Sequence, residues 1–357
     1  MRQKLNENES KMKLKEEYGM RQKLLVLLLC LMVLSLATAY GGGGNDASAA
    51  ASSINIKVAH VTGIDSPFDW GAKKFKEILE EKSGGRITAT IYPSDLTADE
   101  IEGTEMLQAG NLDIGWFSSG NLSGFVQDLM LLDMPFLFRD DAHIEKVLTG
   151  PVGQNLLEQI SDLHGLVGLA FHLDGWRQIT NNLRPINSID DLKGMKIRSM
   201  MNDMCIDMYK ALGATPVPIN SAEIYTSIQT GIVNGQDNGV LCAKSVGYLE
   251  IQPYICMISH FYSAGVVIAG EKFWDSLNAE DQALVKEAAE EAGAAQRKWF
   301  WDNEIALAKE LSESGKYTVT YPNDRDAWVA ACEPVYQKYY EKYPKWKEYV
   351  ELIRNTK

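Results

Sequence analysis

Ile54-Asn55-Ile56-Lys57-Val58-Ala59-His60, followed by Ser66-Pro67 and a helical stretch up to Gly84-Gly85, then Ile87-Thr88-Ala89-Thr90-Ile91, decides the fold class. The first segment alternates apolar and polar side chains, the period of a half-buried strand. Ser66 is placed to cap a helix whose first position is Pro67. Ala72, Phe75, Ile78 and Leu79 share one face of that helix, and Gly84-Gly85 ends it. Ile87, Ala89 and Ile91 lie on one face of a second strand. Strand, helix, strand is an α/β unit. The pattern continues with a helix over Thr97–Gln108, stopped at Gly110, and a third strand over Leu112–Phe117. It recurs through Asp191-Leu192-Lys193-Gly194-Met195-Lys196-Ile197-Arg198.

Far along the chain Asn278 is placed to cap a helix over Ala279–Ser314, rich in Ala, Glu, Lys and Leu and without proline. At 1.5 Å per residue it is roughly 50 Å long, the span of two small domains side by side. Gly293 is its weak point, and two shorter helices broken there are the alternative.

The N-terminus differs from the rest. Met20-Arg21-Gln22-Lys23 precedes an apolar run from Leu24 to Leu36, and Ala37-Thr38-Ala39 follows. Basic, apolar and small-x-small regions in that order read as a secretory signal over residues 1–39. The run is short for a hydrocarbon core of about 30 Å, which favours a removed signal over a retained anchor. Residues 1–19 read as an upstream extension, because Met20–Leu24 repeats Met1–Leu5. Tyr40–Ser53 is rich in Gly, Ser and Ala and reads as a flexible leader.

The 357 residues, 45% hydrophobic and 23% charged, suffice for two cored domains. Residues 1–39 hold seven Lys/Arg and four Asp/Glu; without them 28 basic and 44 acidic residues remain, a formal charge of −16. That balance repels a phosphate backbone and argues against nucleic acid. It does not exclude small anions from a site whose local charges are cationic. Cys205, Cys242, Cys256 and Cys332 show no C-x-x-C spacing, so no zinc site is expected. Buried free thiols are the simpler expectation, although export permits disulfides. Sequence patterns for zinc proteases, phosphate loops, nucleophile elbows and calcium loops are absent. The reading is therefore a binder without cofactor or metal rather than an enzyme.

From Ile56 to about Arg297 the chain resembles the solute-binding subunit of TRAP (tripartite ATP-independent periplasmic) transporters. The likeness rests on Ser83-Gly84-Gly85-Arg86-Ile87, Gln108-Ala109-Gly110-Asn111-Leu112-Asp113 and Leu132–Phe138. Its strongest parts are Gly175-Trp176-Arg177-Gln178-Ile179-Thr180-Asn181 and the stretch Asp191–Arg198. Leu212–Pro218, Glu223-Ile224-Tyr225 and Gly235-Gln236-Asp237-Asn238 follow in the family's order. The resemblance implies a two-lobed α/β clamp of the periplasmic-binding-protein type, type II, with one long helix across both lobes. Residues 54–174 plus 264–303 would form one lobe and 175–263 plus 304–357 the other. A small and a large membrane subunit would be its partners, and the chain itself is expected to be a monomer outside the cytoplasm.

The same resemblance places Arg198 at the family's carboxylate-binding arginine. A guanidinium offers a planar fork that matches two carboxylate oxygens and stays charged. Arg177 matches a second arginine, and Asn238 an asparagine that reaches the ligand. Trp116 near the end of the third strand, and Ser118 and Asn121 after it, are expected on the cleft wall, as is Ser221. His60, Asp99 and Glu102 are placed to meet ligand hydroxyls. Where the family has D-G-Q-E-N-P, this chain has Asn234-Gly235-Gln236-Asp237-Asn238-Gly239, so the rim differs. Many polar candidates around two arginines favour a sugar acid, a hexuronate or an aldonate. A C4-dicarboxylate or keto acid would need a second cation or a more apolar wall. A binding protein for another importer or sensor, or a secreted enzyme on a similar clamp, are the competing readings.

Overall fold

The structure is a computed structural model that describes residues 53–357. The signal and all but the last residue of the leader lie outside the described residues. Among the described residues eleven strands follow in chain order: β1 (Ile54–His60), β2 (Ile87–Pro93), β3 (Ile114–Ser118), β4 (Leu166–Trp176), β5 (Gln178–Asn181) and β6 (Lys196–Ser199). Then come β7 (Thr215–Pro218), β8 (Gly235–Asn238), β9 (Tyr254–Cys256), β10 (Tyr262–Gly270) and β11 (Thr318–Thr320). They form two sheets, β2-β1-β3-β10-β4 and β11-β9-β5-β8-β6-β7. The two sheets give a two-lobed α/β fold, as expected.

The opening unit forms for the reasons its sequence gives. β1 pairs with β2 in parallel, Ile54 opposite Ile87. Between them α1 (Pro67–Lys82) starts on Ser66, whose hydroxyl accepts from the Asp69 amide at 3.1 Å. Its apolar stripe, including Ala72, Phe75 and Leu79, is fully buried against Ile56 and Val58 of the sheet. The next helix, α2 (Glu100–Ala109), begins three residues later than the sequence indicates. Asp99 caps it, its carboxylate accepting from the amides of Ile101 and Glu102. β3 begins at Ile114 rather than Leu112, because the Leu112 amide is spent closing the turn after α2, onto the Met106 carbonyl. β10 enters the first sheet from far along the chain and runs antiparallel to both β3 and β4.

A short helix, α3 (Val240–Ser245), follows β8, and the long helix is α4 (Ala279–Glu313). Asn278 caps α4, accepting from the Asp281 amide at 2.9 Å. The helix is unbroken at Gly293, where a side chain would sit 2.4 Å from the Phe171 carbonyl of β4; the glycine permits that approach. Towards its start, Val285, Ala288 and Ala292 pack in the same apolar cluster as Ala72 and Phe75. Towards its end, Leu307 and Leu311 pack with Leu249 and Ile255 beside the second sheet. One continuous helix thus packs beside both sheets. Cys205, Cys242, Cys256 and Cys332 are all buried free thiols.

Candidate functional site

Three passages of chain cross between the sheets, one of them the long helix α4 between β10 and β11; the other two lie side by side. In one, β4 of the first sheet runs into β5 of the second with only Arg177 between them. The other returns through Phe261 to β10, and the Arg177 amide donates to the Phe261 carbonyl at 3.0 Å. Gly175, just before the crossing, has φ 104° and lies under the Phe300 ring of α4; a side chain there would strike the ring at 2.2 Å. The crossing therefore packs directly against the long helix.

Arg177 is about 1% exposed and almost fully committed. Its Nη1 donates to Asp174 at 2.6 Å, and its Nε and Nη2 donate to Asp237 Oδ1 at 3.2 and 2.8 Å. Nη2 also donates to the Asp237 carbonyl at 2.6 Å. One Nη1 hydrogen is left over. Burial would raise the Asp237 carboxyl, but the Arg177 charge and the bonds from His260 and Tyr209 outweigh it and hold that acid below the usual range.

Arg198 contrasts with it. β6 carries it between β7 and β8, and it is about 2% exposed. Its Nε donates to the Ile219 carbonyl at 2.8 Å, which fixes the plane of the guanidinium. Among the described residues no acid lies within 4.0 Å of it, and its terminal nitrogens make no hydrogen bond. Burial, and the Arg177 charge after it, lower its pKa without neutralising it.

Both arginines line a cavity of about 190 Å³ between the sheets. The wall from the first sheet is formed by Val61, Thr62, Phe68, Glu100, Ser118 and Asn121. The opposite wall includes Met200, Ser221, Tyr225, Asn238, Cys242 and Tyr248, with Asp174 at the crossing. Ser221 reaches across the mouth, its hydroxyl donating to the Ala98 carbonyl at 3.2 Å. Asn238 donates to Gln236 Oε1 at 2.6 Å, leaving its own carbonyl oxygen and one N–H.

Arg198, Arg177, Asn238, Ser118, Asn121 and Ser221 thus meet in one cavity, and four sequence candidates lie elsewhere. Trp116 is fully buried on the helix side of the first sheet; its ring packs over Gly71 of α1 and against His172 at 4.7 Å. His60 is also fully buried, held between Asp69 at 3.4 Å and the Thr62 hydroxyl at 3.1 Å, so only its neighbours Val61 and Thr62 reach the cavity. Asp99 is spent as the cap of α2. Glu102 is exposed and accepts from Thr97 at 3.2 Å.

Glu100, between those last two, is the acid that the sequence reading passed over. It is about 2% exposed. It accepts from the Ser118 amide at 2.7 Å, the Ser118 hydroxyl at 3.0 Å and the Asn121 amide group. Burial raises its carboxyl to about 7, against the bonds from Asn121 and Ser118 and with the help of the Asp174 charge. The signal was present: Glu100, Gly103, Thr104 and Leu107 are the buried stripe of α2, at the i, i+3, i+4, i+7 spacing of a helix face. Among the described residues no cluster of His, Cys, Asp and Glu converges as a metal-ion ligand set. What the cavity offers is one unbalanced cation, a wall of acceptors and amides, and apolar panels between them.

The profile of the bacterial extracellular solute-binding proteins, family 7 (DctP), matches residues 58–343. The 2,3-diketo-L-gulonate-binding periplasmic protein YiaO of Escherichia coli is 32% identical over 249 residues, 70% of this chain and 76% of its own. A TRAP periplasmic solute-binding protein of Polaromonas sp. JS666, solved with D-erythronate, is 32% identical with a TM-score of 0.81, covering 85% of this chain and 99% of that one. A further one from Bradyrhizobium sp. BTAi1, in complex with D-galacturonate, is 33% identical with a TM-score of 0.79, over 85% of this chain and all of that one. The chain belongs to family 7 of the bacterial extracellular solute-binding proteins, the TRAP transporter solute-binding family DctP.

Proposed function

We propose that this solute-binding protein captures a sugar acid, a hexuronate or an aldonate, with the carboxylate on Arg198 and the hydroxyls against Ser118, Asn121, Asn238 and Ser221. The observation that carries the reading is the state of Arg198. A buried guanidinium held by one carbonyl, with its terminal nitrogens turned to a cavity and unpaired with protein among the described residues, presents a fork that matches a carboxylate. Arg177 supports the site from behind and keeps one hydrogen for the ligand. The galacturonate and erythronate held by the two similar structures are of the same chemical class. Residues 54–174 plus 264–303 act as one jaw and 175–263 plus 304–357 as the other, closing through the crossings at Arg177 and Phe261. The mature chain works as a monomer outside the cytoplasm, hands its ligand unchanged to a small and a large membrane subunit, and needs neither metal nor nucleotide. Calorimetric titration of the mature chain with galacturonate, galactonate and erythronate tests this directly. Saturable binding of at least one, undiminished by chelator and with the acid recovered chemically intact, is expected. Binding of none, loss on chelation, or a new product would overturn the reading.

A further inference from the structure

We infer that Glu100, with Asp174, is a charge filter that limits the site to ligands with a single carboxylate. The inference rests on the sugar-acid reading and extends it to the far end of the ligand. Charges around the cavity are unequal by position. Arg177 is already shared between Asp174 and Asp237, whereas Arg198 has no acid within 4.0 Å among the described residues. One ligand carboxylate therefore finds one unbalanced cation. A second carboxylate in the same cavity would face the wall of Glu100 and Asp174, with no free cation beside it.

The hydrogen bonds on that wall reinforce the charge. Ser118 spends its hydroxyl hydrogen on Glu100 or Asp174, and Asn121 spends an N–H on Glu100. What remains towards the cavity is chiefly acceptor: the Ser118 hydroxyl oxygen, the Asn121 carbonyl oxygen and the outer lone pair of Glu100. Hydroxyl groups can donate to all three; a carboxylate can donate to none. Glu100 thus acts on the ligand's far end and also positions Ser118 and Asn121.

The filter should weaken when Glu100 takes up a proton. Its carboxyl is raised by burial to about 7. The other charged or titratable groups lining the cavity are Asp174, Arg177, Arg198, Cys242, Tyr225 and Tyr248. Burial pushes the Cys242 thiol up, and the Tyr248 phenol up to about 12, so both stay neutral near pH 7. On the helix of Glu100 itself, Asp99 and Glu102 lie on the solvent side. A diacid admitted beside Glu100 needs that proton, and its own carboxylates stay ionised throughout this range. Its affinity relative to a monoacid should therefore fall as pH rises above about 7, by up to about tenfold per pH unit.

The test uses matched acids that differ only at the far end: galactonate against galactarate, and erythronate against meso-tartrate, with galacturonate as a third monoacid. Calorimetry on the mature chain at pH 8 should give diacids on the order of 100-fold weaker than monoacids of equal length. Between pH 8 and pH 6 the gap should narrow by roughly tenfold. Glu100→Gln should narrow it at pH 8 and remove its pH dependence. Diacid binding within about threefold of the monoacid, or a gap that is constant from pH 6 to pH 8, would overturn the inference. Should Glu100→Gln not fold, the pH series on the natural chain still decides. Failure of all three monoacids to bind would instead defeat the sugar-acid reading beneath it.

Discussion

Arg177 and Arg198 stand on either side of β8, both buried, and differ in almost everything else. Arg177 sits where the chain crosses between sheets, stacked near the Phe261 ring at 5.8 Å and clamped by two carboxylates. Arg198 is held by a single backbone carbonyl and faces a cavity. A buried cation is tolerable only if its charge is met. In Arg177 the protein itself meets it, so that residue is part of the frame. In Arg198 the meeting is deferred, so folding leaves a cost that a ligand carboxylate can relieve. The difference teaches that burial alone does not mark a binding arginine; the absence of an internal partner does.

Removing Arg177 should break the comparison most violently. Arg177→Ala strands Asp174 and Asp237 without their cation, and losing one partner of a buried pair costs about 3–5 kcal/mol. Chemical denaturation of the ligand-free protein should show a loss of that order, whereas Arg198→Ala should change stability by less than about 1 kcal/mol or raise it. Equal losses in the two variants would erase the distinction.

Smaller changes sharpen it. Asn238→Ala removes one hydrogen-bonding group from the cavity and should weaken sugar-acid binding by about 2- to 12-fold, the worth of one net hydrogen bond. Asp99→Ala should cost about 1 kcal/mol of stability through the lost cap of α2 and leave affinity nearly unchanged. Glu102→Ala should alter stability by no more than about 0.5 kcal/mol and affinity by less than about twofold. A large affinity loss at Glu102 would show that α2 presents a different face to the ligand.

These contrasts also show what the sequence makes legible. The β1-α1-β2 unit and α4 are written locally, in caps and periodicities that need no distant partner: Ser66, Asn278 and the stripe Ala72, Phe75, Leu79. The insertion of β10 between β3 and β4 is non-local, and no spacing announces it. Arg198 is legible as a residue in a recognisable strand. Its lack of a partner is not, because that depends on where Asp174 and Asp237 point. Trp116 and His60 sit at strand positions that suit a cleft wall, yet tertiary packing claims both: the bare Cα of Gly71 makes room for the indole, and Asp69 captures the imidazole. On α2 the difference between sequence and structure is one of register. Asp99 and Glu102 look like the available acids, but the helix phase set by Gly103, Thr104 and Leu107 turns Glu100 inward.

The central claim is that Arg198 takes the ligand's carboxylate. Its most direct test is calorimetric titration of Arg198→Ala with whichever of galacturonate, galactonate and erythronate binds the natural chain most tightly. Truncating one side of a buried charge pair costs on the order of 2–5 kcal/mol, so the dissociation constant should rise roughly 30- to 4,000-fold with the fold retained. A dissociation constant within about threefold of the natural chain's, in a folded variant, would contradict the account.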